Sequence, residues 1–190
     1  MLAVIEFDTI GAKEIAMNLT EAKLVNPYEE IDLASFDGII LSGSRDPDIS
    51  YFPPDYSKTL ISELTTVRVP ILGICFGMQF LATFYGGELG LGEGEFGWSV
   101  AVLDTQTDLL TGYHRRELVY MSHVYCVTSL PVPHNDYRVI ASTHQTAIAG
   151  FRHKFLPVYG VMWHPEKMHK RGSILFRNFE RMCQVEHPLP

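Results

Sequence analysis

Short apolar runs alternate with helical patterns through the first half of the chain. Three runs are mainly apolar and end at small or turn-forming residues, which is typical of strands buried in a parallel sheet; they are Leu2–Glu6, Gly38–Ser42 and Pro70–Cys75. Apolar residues recur with helical spacing elsewhere, which predicts helices over Ala12–Lys23, Ser57–Val67 and Gly77–Tyr85. Arg45–Asp55, rich in Pro and Asp, is predicted as a loop, and Ser57 as a helix N-cap. The alternation predicts right-handed parallel βαβ units.

The second half of the chain consists mainly of short strand patterns separated by Pro, Asn and Gly turn signals. We predict strands over Trp98–Leu103, Glu117–Met121, Tyr125–Ser129, Tyr137–Ala141, Thr146–Phe151 and Val158–Trp163. A last amphipathic helix is predicted over Gly172–Cys183. The fold class is therefore predicted to be α/β, an open and mainly parallel sheet flanked by helices, with an antiparallel elaboration in the second half.

Composition narrows the class of protein. With 190 residues, 46% of them hydrophobic and 19% charged, the chain is expected to form one domain over residues 1–185, followed by a loose tail at 186–190. A net charge of −7 argues against a nucleic-acid partner, since such proteins normally carry a basic surplus. No apolar stretch reaches about 18 residues, so we expect no membrane partner. Three widely spaced cysteines and no recognisable signal peptide favour a reducing, cytoplasmic location.

Cys75 lies where an apolar strand pattern meets a helical one. Glycines stand two residues before and two residues after it, at Gly73 and Gly77, as a sharp strand-to-helix turn requires. The nucleophile elbow of hydrolases presents a serine in this way. The start of a helix also favours a thiolate and offers backbone N–H groups to a developing oxyanion. From this segment alone, Cys75 is either a nucleophile or an inert buried cysteine at a strand end.

A base for such a thiol is offered by the segment His164-Pro165-Glu166, which follows another apolar strand pattern. A carboxylate two residues from an imidazole can accept its second N–H and orient the ring, as the third member of a catalytic triad does. Pro165 restricts the backbone between the two side chains. Taken alone, the segment is more simply explained as a solvated His-Pro turn with an incidental Glu.

Together, the two segments resemble the class I glutamine amidotransferase family. The glutaminase domain of that family carries a G-x-C-x-G nucleophile turn, matched by Gly73–Gly77, and a strand ending in His-Pro-Glu, matched by His164–Glu166. The two signatures also stand in the order and at about the separation of the family. Leu41–Ser44 corresponds to its oxyanion loop, so the resemblance extends over roughly residues 1–183.

The resemblance implies a catalytic role for three residues. Cys75 would be the nucleophile toward the side-chain amide of glutamine, forming a γ-glutamyl thioester. His164 would be the general base and then the acid to the leaving ammonia. Glu166 would orient and charge-stabilise His164.

The resemblance also implies the residues that hold the reacting groups. Backbone N–H groups would bind the oxyanion, and the residues that carry them are Gly43, Ser44 and Phe76. The substrate glutamine would be bound by Gln79, Ser122 and His123. Gln79 lies one helical turn after the nucleophile, and the other two would act mainly through their main chain.

Within the family, the chain most resembles the glutaminase of GMP synthases. Glu95–Trp98 resembles their Glu-Phe/Tyr-Gly-Tyr element, and Met121–His123 resembles the start of their Met-Ser-His-Gly-Asp segment. Three pairs differ from the usual Gly-Asp, Gly-Pro and Gln-Phe of that group, namely Val124-Tyr125, Ser44-Arg45 and Met162-Trp163. The triad is untouched by these differences, so we expect its chemistry to be kept.

No cofactor and no metal are expected. Gly86–Gly97 is rich in glycine, but it lacks the Gly-Lys-Ser/Thr ending of a phosphate-binding loop. His164 and His169 are five residues apart, without the pattern of a third ligand.

Three functional hypotheses remain open. The first is a glutaminase subunit that passes ammonia to a separate ATP-dependent synthase chain, since this chain shows no ATP-binding Ser-Gly-Gly-x-Asp-Ser type of loop. The second is a stand-alone hydrolase of γ-glutamyl amides or peptides, suggested by the altered pairs Val124-Tyr125 and Ser44-Arg45. The third is a non-catalytic regulatory subunit that keeps the fold, which the intact triad makes the weakest of the three.

Overall fold

The computed structural model of the protein describes residues 1–30, 32–44, 58–130, 133 and 136–185. Its strands are β1 (Leu2–Ile5), β2 (Ala22–Val25), β3 (Gly38–Leu41), β4 (Ile71–Ile74), β5 (Glu88–Leu103), β6 (Arg116–Ser129), β7 (Tyr137–Ser142), β8 (Gly150–His153) and β9 (Val158–Val161). Its helices are α1 (Thr9–Ala16), α2 (Lys58–Thr66), α3 (Phe76–Phe84) and α4 (His169–Cys183).

The strands of the described residues form one mixed sheet in the order β2-β1-β3-β4-β9-β8-β7-β5-β6. The first five strands in this order are parallel to one another. From β9 onward each neighbouring pair is antiparallel. The predicted class, an α/β fold with an antiparallel elaboration, is therefore confirmed, and the elaboration continues the same sheet.

The parallel half of the sheet forms the centre of the hydrophobic core. Every residue of β1, β3, β4 and β9 is buried, as expected for strands covered on both faces. Burial of one such aliphatic side chain contributes roughly 1.5–3 kcal/mol. The continuous apolar runs of the sequence therefore mark these strands well, and their predicted positions agree with the structure to within one or two residues.

The first helix is shorter than predicted. Helix α1 ends at Ala16, whereas the pattern predicts a helix from Ala12 to Lys23. Residues 22–25 instead form β2, in which Ala22 pairs with Leu2 of β1. Pairing with a buried neighbouring strand outweighs helical propensity here, because propensity is worth less than 1 kcal/mol per residue, roughly.

The antiparallel half has fewer and longer strands than predicted. The two strands predicted over 117–121 and 125–129 are one strand, β6, and the strand predicted from Trp98 is the end of β5. The glycine-rich stretch before Trp98 pairs with β6 through register shifts, so it belongs to the sheet. The strand predicted from Thr146 begins at Gly150, because Thr143 and Thr146 close a turn through a 2.9 Å backbone hydrogen bond. Helix α4 begins at His169, three residues before the prediction.

Some predictions concern residues outside the described ranges. They are the loop over Arg45–Asp55, the N-cap at Ser57 and the tail at 186–190. The division of the chain into a domain at 1–185 and a tail stays a prediction.

Candidate active site

Three neighbouring parallel strands deliver the candidate site to one edge of the sheet. Strand β4 lies between β3 and β9, with Leu41 opposite Gly73 and Ile74 opposite Val161. The carboxyl ends of these strands lead into the loop at Gly43, the turn at Cys75 and the His-Pro-Glu segment. Because parallel strands end at the same edge, the segments that follow them meet there, which is where open α/β sheets bind ligands.

Cys75 lies in a strained turn between β4 and α3. Its φ of 51° and ψ of −105° lie outside the backbone regions that residues other than glycine usually adopt. The turn is pressed against the sheet, since a Cβ on Gly73 would overlap the carbonyl of Gly77, and a Cβ on Gly77 would overlap that of Leu41. Such strain costs on the order of 1–3 kcal/mol and is typical of functional sites. The expected strand-to-helix elbow is present.

The backbone of the turn is anchored on both sides. The N–H of Cys75 donates to the carbonyl of Val161 at 2.8 Å, and the carbonyl of Cys75 accepts from the N–H of Gln79 at 3.1 Å. The Sγ atom lies 3.7 Å from the carbonyl oxygen of Ser122. These contacts hold the thiol at the start of α3, where the partial positive charge of the helix favours a thiolate.

His164 is held with one ring nitrogen on Glu166 and the other available to Cys75. Its Nδ1 lies 2.6 Å from Oε1 of Glu166, and its backbone N–H donates to the carbonyl of Tyr120 at 2.8 Å. Since a carboxylate can only accept, Nδ1 carries a proton. The remaining nitrogen, Nε2, is the one that can exchange a proton with a thiol, as a triad requires.

The electrostatic surroundings favour the imidazolium form of His164. Burial alone lowers its pKa, but the charge of Cys75 and the hydrogen bonds to Cys75 and Glu166 outweigh that effect. The pKa of His164 is thereby raised from 6.5 to about 10. A protonated His164 beside the thiol is a proton donor within reach of a candidate nucleophile.

Glu166 is a buried carboxylate in a tight turn, Pro165–Lys167, directly after His164. Its side chain is only 2% exposed. Among the described residues no group makes a hydrogen bond to its Oε2. The bond to His164 is therefore the main compensation for burying this charge. Helix α4 packs against the turn so closely that a Cβ on Gly172 would overlap the carbonyl of Pro165.

The loop after β3 lies against both members of the pair. A Cβ built on Gly43 would be 3.1 Å from Cε1 of His164 and 3.7 Å from Cβ of Cys75. Ser42 is fully buried, and its Oγ accepts from the N–H of Phe7 at 3.0 Å. The loop is thus held by the segment after β1 and borders Cys75.

A cavity of about 480 Å³ lies over this edge of the sheet. All nine residues that the sequence predicts for the site line it: Gly43, Ser44, Cys75, Phe76, Gln79, Ser122, His123, His164 and Glu166. The structure therefore brings together every predicted site residue. Its wall also contains residues that were not predicted, including Asp8, Ile10, Glu14, Phe96, Val124, Tyr125 and Lys167.

One backbone carbonyl on the cavity wall went unpredicted because its role depends on pairing between distant segments. The carbonyl of Tyr125 accepts from Nε2 of Gln79 at 2.8 Å and lies 3.0 Å from Nδ1 of His123. Every residue has a backbone carbonyl, so the residue type does not indicate which one accepts these hydrogen bonds. The Glu95–Trp98 element, by contrast, was visible in the sequence but carried no assigned role.

The described part of the chain offers neither a metal cluster nor a membrane-spanning helix. No group of three or more His, Cys, Asp and Glu side chains in it is arranged to hold a metal ion. No helix among these residues is both long and apolar enough to span a membrane. The three cysteines are all free thiols.

An elbow cysteine beside a buried His–Glu pair, on an α/β sheet, defines a thiol-dependent hydrolase type of site. Comparison with known proteins gives the family. The model of the glutamine amidotransferase class-I family matches residues 10–182. The chain therefore belongs to the class-I glutamine amidotransferase family.

Relatives of two different lengths are similar to the chain. It is 34% identical over 174 residues to one of the subunits of the glutamine-hydrolysing GMP synthase of Thermococcus kodakarensis, covering 86% of each chain. It is 32% identical over 196 residues to the glutamine-hydrolysing GMP synthase of Thermosynechococcus vestitus, covering 98% of this chain. The chain spans only 35% of the length of that larger relative.

Solved structures share the fold. A candidate GMP synthase subunit from Thermoplasma acidophilum superposes with a TM-score of 0.85 and 27% identity, over 96% of this chain and 93% of the other. A glutamine amidotransferase from Thermotoga maritima gives a TM-score of 0.72 at 19% identity, over 96% and 91% of the two chains. The second likeness concerns the fold alone.

Proposed function

We propose that this chain is the glutaminase subunit of a GMP synthase-like system. It hydrolyses glutamine to glutamate and ammonia, and a separate ATP-dependent synthase chain consumes the ammonia. The observation that carries the proposal is the alignment of Cys75, His164 and Glu166 along one cavity, with a 2.6 Å contact between the last two. The similarity to the GMP synthase subunit of Thermococcus kodakarensis, over 86% of both chains, supports the subunit role.

The first half of the reaction forms a thioester. The thiolate of Cys75 attacks the carbon of the glutamine side-chain amide, and the carbonyl oxygen becomes an oxyanion. His164 then gives its Nε2 proton to the nitrogen as the carbon–nitrogen bond breaks. Ammonia leaves, and the γ-glutamyl group stays on the sulfur.

The second half returns the enzyme to its starting state. Neutral His164 takes a proton from a water molecule, which attacks the thioester carbonyl. The carbon–sulfur bond breaks, releasing glutamate and the Cys75 thiolate beside an imidazolium. Throughout, Glu166 keeps the Nδ1 proton in place and offsets the positive charge on the ring.

Oxyanion stabilisation is assigned to the backbone N–H groups of Gly43, Ser44 and Phe76. Phe76 starts α3 directly after the nucleophile, and the loop at Gly43 lies against both Cys75 and His164. Such donors act at the point where negative charge develops, and loss of one typically costs about 2.7–4 kcal/mol of barrier.

Glutamine binding is assigned to Gln79, Ser122 and His123. Gln79 is buried and one helical turn from Cys75, so its side chain faces the cavity beside the thiol. Ser122 supplies its carbonyl near Sγ of Cys75. No bound cofactor takes part in this scheme.

The synthase chain is proposed to dock on an apolar sheet face at the mouth of the cavity. This face consists of Phe96, Trp98 and Val100 of β5 with Leu118 and Tyr120 of β6. Trp98 pairs with Tyr120 and Val100 with Leu118, so the side chains form one surface. Phe96 is 68% exposed and also lines the cavity, so a partner covering the face would shelter released ammonia from solvent.

Replacement of the nucleophile tests the proposal directly. With Cys75→Ala, glutamate release from glutamine should be lost, while the synthase should still form its product from added ammonia. A matched Cys126→Ala variant should keep both activities, since that thiol is half-buried on β6. Glutamine hydrolysis by the Cys75→Ala protein would overturn the proposal.

The altered cavity wall favours one competing function. Val124 and Tyr125 line the cavity where GMP synthase glutaminases usually have Gly-Asp, so the amino-acid end of the substrate meets a less acidic surface. A hydrolase of other γ-glutamyl amides would fit such a wall. Assays with γ-glutamyl amides and dipeptides beside glutamine distinguish the glutaminase from the broader hydrolase. Cleavage of glutamine alone excludes the broader hydrolase.

The expected location of the protein rests on its cysteines. A reducing compartment protects a reactive thiol from oxidation. A cytoplasmic location therefore remains the prediction for this chain.

A further inference from the structure

A second buried carboxylate lies behind the cavity wall, outside the triad. The side chain of Glu95, in β5, is 4% exposed. Its Oε2 accepts hydrogen bonds from the hydroxyls of Thr143 at 2.9 Å and Thr146 at 2.8 Å. Glu95 thereby ties β5 to the turn between β7 and β8. Burial of a carboxylate costs free energy even when two hydroxyl groups donate to it, so we expect a functional reason for its position.

His123 connects this carboxylate to the cavity. Glu95 and His123 are register partners in β5 and β6, and the imidazole Nε2 lies 3.8 Å from Oε2 of Glu95. On the other side of the ring, Nδ1 donates to the carbonyl of Tyr125 at 3.0 Å. Within the described residues Nε2 makes no hydrogen bond, so Glu95 is the polar group nearest to it for which the structure gives a contact. Burial lowers the pKa of His123 below its ordinary value, and the charge of Glu95 opposes this effect only in part.

The carbonyl of Tyr125 carries the connection to Gln79. It accepts from Nε2 of Gln79 at 2.8 Å as well as from His123. This contact sets the orientation of the Gln79 amide, because its nitrogen is fixed on Tyr125 and its oxygen is directed to the opposite side. Hydrogen bonds thus join His123 and Gln79 to the Tyr125 carbonyl at the cavity, and Glu95 lies 3.8 Å from the His123 end of this series.

We propose that Glu95 is a positioning residue for glutamine binding. Held by Thr143 and Thr146, it faces the His123 ring from the paired strand, and in this way it supports the wall segment Ser122–Tyr125 and the amide of Gln79. This inference rests on the proposed glutaminase function and adds a residue to it. Because Glu95 does not reach the thiol, its loss should weaken substrate binding and leave the chemical step largely intact.

The test compares Glu95→Gln and Glu95→Ala with the wild-type chain in complex with its synthase. The KM for glutamine should rise roughly tenfold or more, the effect of losing a hydrogen bond to a charged group, while kcat changes less than about threefold. Alkylation of Cys75 by iodoacetamide should keep its wild-type rate. In NMR titrations the pKa of His123 should fall in Glu95→Gln, because the neighbouring negative charge is gone.

Glu117→Gln is the matched control. Glu117 is another buried carboxylate of the same hairpin, bonded to Arg171 at 3.1 Å rather than to the cavity wall. The Glu117→Gln variant should have a lower thermal midpoint of unfolding than the wild type and an unchanged KM for glutamine. Should Glu95→Ala fail to fold, Glu95→Gln decides.

Two results would separate failure of this inference from failure of the proposed function. A wild-type KM in folded Glu95→Gln, or a loss confined to kcat, would overturn the role of Glu95 while glutamine hydrolysis by the wild type stands. Absence of glutamine hydrolysis by the wild-type complex would overturn the function, and the His123 titration would still report whether Glu95 is coupled to that ring.

Discussion

Nδ1 of His164 lies 2.6 Å from Oε1 of Glu166, a carboxylate whose side chain is 2% exposed. Two residues and one tight turn are enough to build this pair, since Pro165 opens the turn and Glu166 points back to the ring. The pair fixes both the tautomer and the orientation of the imidazole. The proposed catalytic role of the pair also requires the thiol of Cys75, which follows β4.

The first prediction concerns this pair. Glu166→Gln should lower kcat for glutamine hydrolysis by roughly 10²-fold, the lower end of what a positioned acid–base group contributes. An amide can still contact Nδ1, but it no longer stabilises the imidazolium. Steady-state glutamate release measures the effect. Glu21→Gln, at an exposed position, is the control and should behave as wild type; equal rates for both variants would contradict the triad role.

The second prediction concerns the origin of the shifted His164 titration. Burial lowers the pKa of His164, and the charge of Cys75 is the largest effect that raises it, to about 10 in the native state. Cys75→Ala should therefore lower the pKa of His164 markedly. NMR titration of the imidazole protons measures this shift. An unchanged titration in the variant would show that the thiol and the ring do not form an ion pair.

The third prediction follows for stability against pH. A group whose pKa is raised on folding contributes stability that is complete below its unfolded pKa of 6.5 and is lost as the pH rises through about 10. Urea unfolding should therefore show the wild-type chain losing stability relative to His164→Gln between about pH 6 and pH 10. A difference that stays constant over this range would contradict the raised pKa.

The fourth prediction compares the same substitution at two glycines. Gly77→Ala should destabilise the fold by about 1–3 kcal/mol or more, because its Cβ would overlap the carbonyl of Leu41. Gly11→Ala, in α1, meets no atom within 4 Å and should stabilise by roughly 0.5–1 kcal/mol through helix propensity. Thermal and urea unfolding measure both. Equal signs for the two variants would contradict the packing described at the elbow.

The fifth prediction concerns the apolar face. Trp98→Glu and Leu118→Glu should weaken binding of the synthase by at least about tenfold, because each places a charge where apolar contact is proposed. Both side chains are more than half exposed, at 56% and 55%, so the fold of the free chain should be unaffected. Phe155→Glu, 73% exposed and outside this face, is the control. Undiminished binding by both face variants would place the partner elsewhere.

The parallel half of the fold was predictable because its strands are uniformly buried. Runs such as Gly38–Leu41 and Ile71–Ile74 need no partner to be recognised, since no face of them is polar. Strand β2 was missed for the opposite reason. It mixes one exposed, two half-buried and one buried residue, and pairing with β1 decides its conformation.

In the antiparallel half, the prediction found the end of β5 but missed its first part, which is rich in glycine. Strand β5 contains a run of glycines before Phe96 and shifts register between Leu91 and Glu95. Local propensity disfavours a strand there. Long-range hydrogen bonds to β6 make it one, and they place Glu95 beside His123.

The chemical groups proposed for the site are all recognisable in the sequence alone. Two short motifs carry the thiol, the imidazole and the carboxylate, because a glycine-flanked elbow and a His-Pro-Glu turn are each encoded within a few consecutive residues. The surroundings of these groups depend on the three-dimensional fold. The pairing of β4 with β9 sets the thiol beside the ring, and the pairing of β5 with β6 joins Glu95 to Gln79 through His123 and a carbonyl. Such contacts depend on the register between distant segments, and residue types do not record it.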